Sequence, residues 1–361
     1  MPEIELVAHD PLWNQKYQQE RRLLLKELFP VTGPLLIEHI GSTAIQPIRA
    51  KNIIDIMVGI TRPLTPEAIE VFADLGYEFM GEMGVPGRLF FKREPRTHHV
   101  HVVEMDNDQG FWWEHVLFRD YLRAFPEAAR RYEQVKLHLA ALYPNDRPSY
   151  TLSKGAIVHE LLEEAIQWEK SLGPVKRLQK VLQDAPFEWA VAGGWALAIQ
   201  RGHAVRHHED LDLFVYRDEQ HILQRYFQEK GWTLERIHQG QFFSWDPAED
   251  IMLPDHQVHA MHPAHPTLDL LLNDRDAEQW TYRRNPTVRC SVVIKHCRQG
   301  LPYLSPEVVL LYKSGSSAGI RTKDWEDAEQ TFPRLTADQR DWLLSKLPAD
   351  HPWQAFALLE G

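Results

Sequence analysis

A chain of 361 residues exceeds the usual span of one hydrophobic core, so two domains are expected before any motif is considered. Its formal charge of -11 excludes the concentrated basic field that a broad nucleic-acid surface needs, while leaving room for local capture of a nucleotide. No run approaches the roughly 18 apolar residues of a membrane helix, the first residues lack a secretory pattern, and two cysteines, Cys290 and Cys297, are too few for a disulfide framework, so a cytoplasmic protein with no membrane partner is expected.

In chain order, alternation in IELVAH predicts a strand, and a helix follows from Trp13 to Leu28, ended near Pro30. LLIEHIGSTAI reads as a strand interrupted by Gly41 and Ser42, and NIIDIMVGI as a buried strand. A helix around Glu67 to Leu75 leads to strands near Tyr77 to Met80, Arg88 to Lys92 and Thr97 to Glu104, and the pattern from Trp112 to about Lys170 is helical. Residues 1–170 therefore form one expected α/β domain. Periodicity breaks at Gly173-Pro174, and a second α/β domain is expected over 174–361. Its elements are a helix from Val175 to Gln183, a strand at Trp189 to Ala192, a helix from Trp195, the strand LDLFV and a helix from Gln220 to Lys230. The apolar run PTLDLLL then reads as a buried strand, and PEVVLLYKSG and TKDWEDAEQTF as helices. The order of events repeats between the two halves, although they share little identity.

The segment AGGWALAIQRGHAVRHHEDLDLFV carries the clearest chemistry. Residues i and i+2 of a strand share a face, so Asp210 and Asp212 stand side by side while Leu211 and Leu213 enter the core. Acids that close repel one another unless a cation lies between them, and Mg²⁺ is the hard ion suited to carboxylates and phosphates. Gly193 and Gly194 lack side chains at a helix start, where unpaired N–H groups face a phosphate. Asp269, among apolar neighbours, is a third acid that could orient an acceptor hydroxyl and take its proton; Arg206, Lys313 and Lys323 are candidates to neutralise phosphates. His207 and His208 face opposite ways on an extended segment and are not expected to ligate one ion. His256, His259, His262 and His265 are read as a polar loop rather than a zinc site. There is no P-loop and no G-x-G-x-x-G fingerprint, which disfavours P-loop kinases and Rossmann dehydrogenases.

The diglycine segment, PTLDLLL and PEVVLLYKSG…RTKDWEDAE together resemble the aminoglycoside nucleotidyltransferase family over residues 184 to 335. The resemblance implies Mg²⁺-dependent transfer of AMP from ATP to a hydroxyl of a small molecule such as an aminoglycoside or lincosamide, with Asp210 and Asp212 as metal ligands and Asp269 as the third acid. HIGSTAIQPIRAKNIIDIMVGI, HHVHVVE and the helical run that follows resemble the GrpB (UPF0157) family over residues 3 to 168. The expected fold is thus α/β with two nucleotidyltransferase-like domains, each a small mixed sheet with packed helices and a helical C-terminal part.

In the first domain Gly41-Ser42 takes the position of the phosphate turn, but the next strand reads Asp55-Ile56-Met57, with Met57 standing where the second acid is expected. A thioether is a poor ligand for Mg²⁺. His99 and His101 share a strand face and, with His39 and Asp55, could make a different metal or phosphate pocket, to which Lys51, Arg88 and Lys154 could add an anion site. The alternative to catalysis is a nucleotide-sensing or interaction protein that keeps both folds without turnover.

Overall fold

The computed structural model describes residues 4–105, 110–206, 208, 210–277, 279–291, 293–315 and 319–358. It forms two compact units, the first built on Met1–Trp168 and the second on Glu169–His238, Phe242–His262 and Pro266–Gly361. No helix among the described residues is long and apolar enough to cross a membrane.

In the first unit, helix α1 (Leu12–Thr32) runs through Pro30 and stops at Gly33, whose φ of 73° reverses the chain. Strands β1 (Leu35–Ile40), β2 (Ile54–Ile60), β3 (Tyr77–Phe79), β4 (Arg88–Arg93) and β5 (His98–Glu104) form one sheet in the order β1-β2-β5-β4-β3. Between them lies α2 (Pro66–Asp74), opened by Pro66 and by the Thr65 side chain accepting the Ala68 N–H. Helices α3 (Phe111–Ala124), α4 (Pro126–Leu142), α5 (Arg147–Ser153) and α6 (Gly155–Lys170) complete the helical part. The expected strand in IELVAH reduces to one bridge, Val7 to Ala50, because alternation alone cannot make a strand without a partner edge.

β2 shows how the pleat sorts side chains. Ile54, Ile56, Val58 and Ile60 join a core with Leu24, Leu28 and Phe72, whereas Met57, on the other face, packs with Ile40, Val103 and Trp112. Each fully buried aliphatic of this kind stabilises the fold by about 1.5–3 kcal/mol relative to exposure.

The second unit opens with α7 (Gly173–Val181), β6 (Trp189–Val191) and α8 (Gly193–Arg201). It continues with β7 (Leu211–Tyr216), α9 (Gln220–Glu229), β8 (Thr233–His238), β9 (Gln241–Ser244), β10 (Gln257–His262) and β11 (His265–Asp276). The short strands β12 (Gln279–Thr281), β13 (Arg289–Cys290), β14 (Ile294–His296) and β15 (Pro302–Leu304) precede α10 (Pro306–Lys313), α11 (Thr322–Thr331) and α12 (Ala337–Lys346). The main strand order is β14-β15-β6-β7-β11-β10-β8-β9. Both faces of β7 are covered: Leu211, Leu213 and Val215 enter one core and Phe214 and Tyr216 another. The α/β fold class thus holds in both units.

Candidate functional site

The acids of the second unit are brought together by strand register. β7 and β11 run parallel with Asp269 opposite Asp212, and Asp210 lies one residue before β7 begins. Carboxylate oxygens of all three lie within 4.8 Å of one another. Burial, then the charges of Asp210 and Asp269, push the Asp212 carboxyl well above its usual range, against the pull of Lys313 and Lys323. A cluster of hard oxygen donors that repel one another fits a small divalent cation such as Mg²⁺. Asp269 is oriented by two neighbours on β10: Gln257 donates to Oδ2 at 2.9 Å, and His259 Nδ1 lies 2.9 Å from Oδ1.

The two glycines do different work. Gly193 has φ +57°, and a Cβ there would stand 1.9 Å from Asp212 Oδ2, so only glycine lets this carboxylate rest against the turn. A Cβ on Gly194 would stand 2.3 Å from His208 Nδ1. Gly194 is absent from the cavity lining that includes Gly193. Its expected role at a phosphate therefore becomes one of making room for His208, which packs against Trp195 at 4.6 Å between ring centroids.

That cavity, of about 360 Å³, is lined by Asp210, Asp212 and Asp269 together with Arg283, Arg284, Lys313 and Arg321. Lys313 lines it while paired with Asp324 at 2.8 Å and Asp327 at 3.0 Å. Arg206 is placed elsewhere: it is bound to the buried Asp327 at 2.7 Å and does not line the cavity. Lys323 does not line it either, although its charge acts on Asp212. Arg283 and Arg284 join the wall without a signal in the sequence beyond a basic pair in an irregular stretch between short strands. The histidine patch is a loop only at His256. His259 and His262 lie on β10 and His265 starts β11; His259 contacts Asp269, while His262 packs on Trp232. His207 lies outside the described residues.

The first unit repeats the corner with altered residues. Ile40 pairs with Asp55 across β1 and β2, as Ala192 N–H bonds the Asp212 carbonyl. Gly41, at φ +71°, would place a Cβ 2.5 Å from Asp55 Oδ2, and Asp55 stands opposite His99 on the parallel strand β5. Asp55 therefore corresponds to Asp212, His99 to Asp269, and Ile53, two residues earlier, to Asp210. This corrects the reading of Met57 as the lost acid: Met57 matches Phe214 and is wholly buried. His39 is also displaced from the expected pocket. It is buried, stacks on Tyr17 at 4.6 Å and bonds Thr43 at 3.0 Å, and it is absent from the cavity lining.

The other expected residues of this pocket, Gly41, Ser42, Asp55, His99 and His101, line a cavity of about 560 Å³. His99 Nδ1 lies 3.1 Å from Asp55 Oδ1, and His101 Nε2 lies 3.9 Å from it. Burial pushes the Asp55 carboxyl up, but hydrogen bonds from His101 and His99 outweigh it and hold the group far below its usual range. Burial, with help from Lys154 and Lys51 and against Glu133, pushes Lys136 down to about 7. The unfolded chain keeps that proton to about pH 10, so between pH 7 and 10 it binds more protons than the folded state and stability rises with pH. The unfolding midpoint of the wild type should accordingly climb relative to that of Lys136→Met between pH 7 and 9.5. A constant gap in parallel thermal scans would refute the assignment.

A model of the GrpB protein family matches residues 3–164. The glutamate-rich protein GrpB of Alkalihalophilus pseudofirmus is 38% identical over 173 residues, covering 45% of this chain and 95% of that protein. The chain belongs to the GrpB family. The crystal structure of the conserved protein GrpB from Enterococcus faecalis is 33% identical, covers 45% of this chain and 98% of its own, and superposes with a TM-score of 0.40. A second family model, aminoglycoside-2''-adenylyltransferase, follows the GrpB match over residues 174–253. The solution structure of the antibiotic-resistance factor ANT(2'')-Ia is 15% identical, with 48% of this chain and 91% of that chain covered and a TM-score of 0.35. The chain thus joins a GrpB segment to a segment, residues 174–253, that is similar to the aminoglycoside-2''-adenylyltransferase family. The second matched segment contains Gly193, Gly194, Asp210 and Asp212 and ends before Asp269.

Proposed function

We propose that the second unit transfers a nucleoside monophosphate, AMP from ATP, to a hydroxyl of a small polar acceptor such as an aminoglycoside or lincosamide. The observation that carries this reading is the convergence of Asp210, Asp212 and Asp269 beside the Gly193 turn. The match of residues 174–253 to an adenylyltransferase family supports the same chemistry. Asp210 and Asp212 would hold Mg²⁺, which when bound supplies charge neutralisation at the triphosphate. Arg283, Arg284, Lys313 and Arg321, all on the cavity wall, would share the remaining phosphate charge. Asp269, fixed by Gln257 and His259, would accept the acceptor's hydroxyl proton as oxygen bonds to the α-phosphorus and the bond to pyrophosphate breaks.

The test incubates the full chain with Mg²⁺, labelled nucleoside triphosphates and a panel of aminoglycosides, lincosamides and cell extract. Mass spectrometry should find an acceptor heavier by one nucleoside monophosphate, with pyrophosphate released. Nucleotide binding without any modified acceptor would replace this reading with a sensing role. His259→Ala should lower turnover about tenfold with little change in the KM for ATP, since it frees the Asp269 carboxylate to rotate. Steady-state kinetics with the identified acceptor would check this, and an unchanged kcat would remove His259 from the scheme.

A further inference from the structure

The cavity of the GrpB unit inverts the charge of the corresponding acidic corner in the second unit. Where the second unit has Asp210, Asp212 and Asp269, the first has Ile53, Asp55 and His99, all three on the cavity wall. The remaining acid is already partnered. Arg88 donates to His101 Nδ1 at 3.3 Å, which leaves the His101 Nε2 proton to face Asp55, and His99 lies against the same carboxylate. With one acid of three left and that one engaged by His99 and His101, the corner lacks the oxygen ligands that a hard ion such as Mg²⁺ requires.

Positive charge comes instead from the protein. Lys51 before β2, Lys136 on α4 and Lys154 at the end of α5 line the same cavity from three separate elements. Lys136 is only 2% exposed. Its amino group donates to the Arg49 carbonyl and lies 4.8 Å from the centre of the Tyr132 ring, while Lys51 Nζ lies 4.4 Å from the centre of the Tyr150 ring. Lys154 bonds the Tyr132 side chain. Among the described residues none of the three forms an ion pair with a carboxylate. Burial together with neighbouring positive groups pushes Lys51 to about 8 and Lys136 to about 7, whereas the Tyr132 side chain, against burial, holds Lys154 above its usual range as a charged ammonium. An anion entering among the three would relieve their mutual repulsion, as a cation would relieve the acids of the second unit.

We propose that the GrpB cavity binds a phosphate group, free or carried on a small organic body, through Lys51, Lys136 and Lys154 and without a divalent metal. A tetrahedral dianion matches several convergent ammonium donors, whereas one carboxylate would leave most of their charge unmet. The volume of about 560 Å³ lies within the range of small-molecule pockets, and Ile45, Phe118, Val158 and Leu162 provide apolar wall for an organic body.

The experiment uses the full chain carrying Asp210→Asn and Asp212→Asn, which removes the proposed metal ligands of the second unit, in EDTA at pH 7. Calorimetric titration with inorganic phosphate, ribose 5-phosphate, AMP and ATP should give saturable binding of at least one probe. Lys51→Met or Lys154→Met should weaken it by at least about tenfold, the loss of one charge-assisted contact. Thr151→Glu, at an exposed position on the cavity rim, should do the same by adding a negative charge without disturbing a buried group. Equal affinity for inorganic phosphate and the esters identifies free phosphate as the source, and tenfold tighter binding of an ester identifies an organic phosphate. The proposal is overturned if no probe binds in EDTA, if binding appears only when Mg²⁺ is added, or if Thr151→Glu and both lysine variants bind as the parent does. Arg283, Arg284, Lys313 and Arg321 keep a cationic wall in the second unit even in the double asparagine parent, so it is the response to Lys51→Met, Lys154→Met and Thr151→Glu that assigns the binding to the GrpB cavity, whatever the outcome of the transfer assay.

Discussion

Asp212→Asn is expected to lower Mg²⁺-dependent nucleotidyl transfer by at least about a thousandfold while leaving the unfolding midpoint in EDTA level or higher. The substitution keeps the side chain's shape and removes one hard anionic oxygen from a group of three acids within 4.8 Å. It also removes the charge that burial, Asp210 and Asp269 make costly. A carboxyl raised in this way binds its proton more tightly in the folded than in the unfolded chain. Metal-free wild type should therefore lose stability as pH rises from the usual carboxylate range through the raised value, and the asparagine variant should be less sensitive over that window. Transfer assays and thermal scans of the two proteins test both halves. Turnover within tenfold of wild type would sink the assignment of Asp212 to the site.

Gly193→Ala should combine a folding defect with a loss of transfer of about a hundredfold, because displacing a catalytic group by about 1 Å costs that much. Two physical effects add. The φ of +57° costs a non-glycine residue about 1–2 kcal/mol. The new Cβ would also meet Asp212 Oδ2 at 1.9 Å, so the carboxylate must turn away from Asp210 and Asp269. Gly194→Ala separates the roles of the two glycines. Its Cβ would meet His208 Nδ1 at 2.3 Å instead, so stability should fall through the His208–Trp195 packing while transfer per folded molecule changes less. Activity normalised to folded protein, measured for both variants, decides the point. Equal losses of normalised activity would mean that both glycines face the substrate.

Residues that share a strand face, or that follow one another in a turn, were readable because their geometry is local. Asp210 and Asp212 belong together by the two-residue period of an extended chain, and the apolar flanks of Asp269 marked it as an acid in a buried strand. The long side chains resisted such reading. Arg206, Lys313 and Lys323 looked alike as cations near acids, yet Arg206 is taken up by Asp327 while Lys313 reaches the cavity and two aspartates at once. Arg283 and Arg284 join the wall from a segment with no regular period. Met57 misled for a related reason. Spacing counted forward from Asp55 named it the missing acid, whereas the strand register and the approach of Gly41 align Asp55 with the second acid and Ile53 with the first.

By itself the chain's sequence determined two α/β units, a glycine turn followed by paired acids in the second, and a related turn with one acid in the first, because hydrophobic period and turn chemistry act over a few neighbouring residues. Only the tertiary structure decided that Asp269 stands across from Asp212, that His259 and Gln257 hold it, and that Lys51, Lys136 and Lys154 meet in one cavity. Those meetings depend on which strand lies beside which and in what register, and on the packing of helices distant in the chain. No local pattern of side chains encodes such a distance.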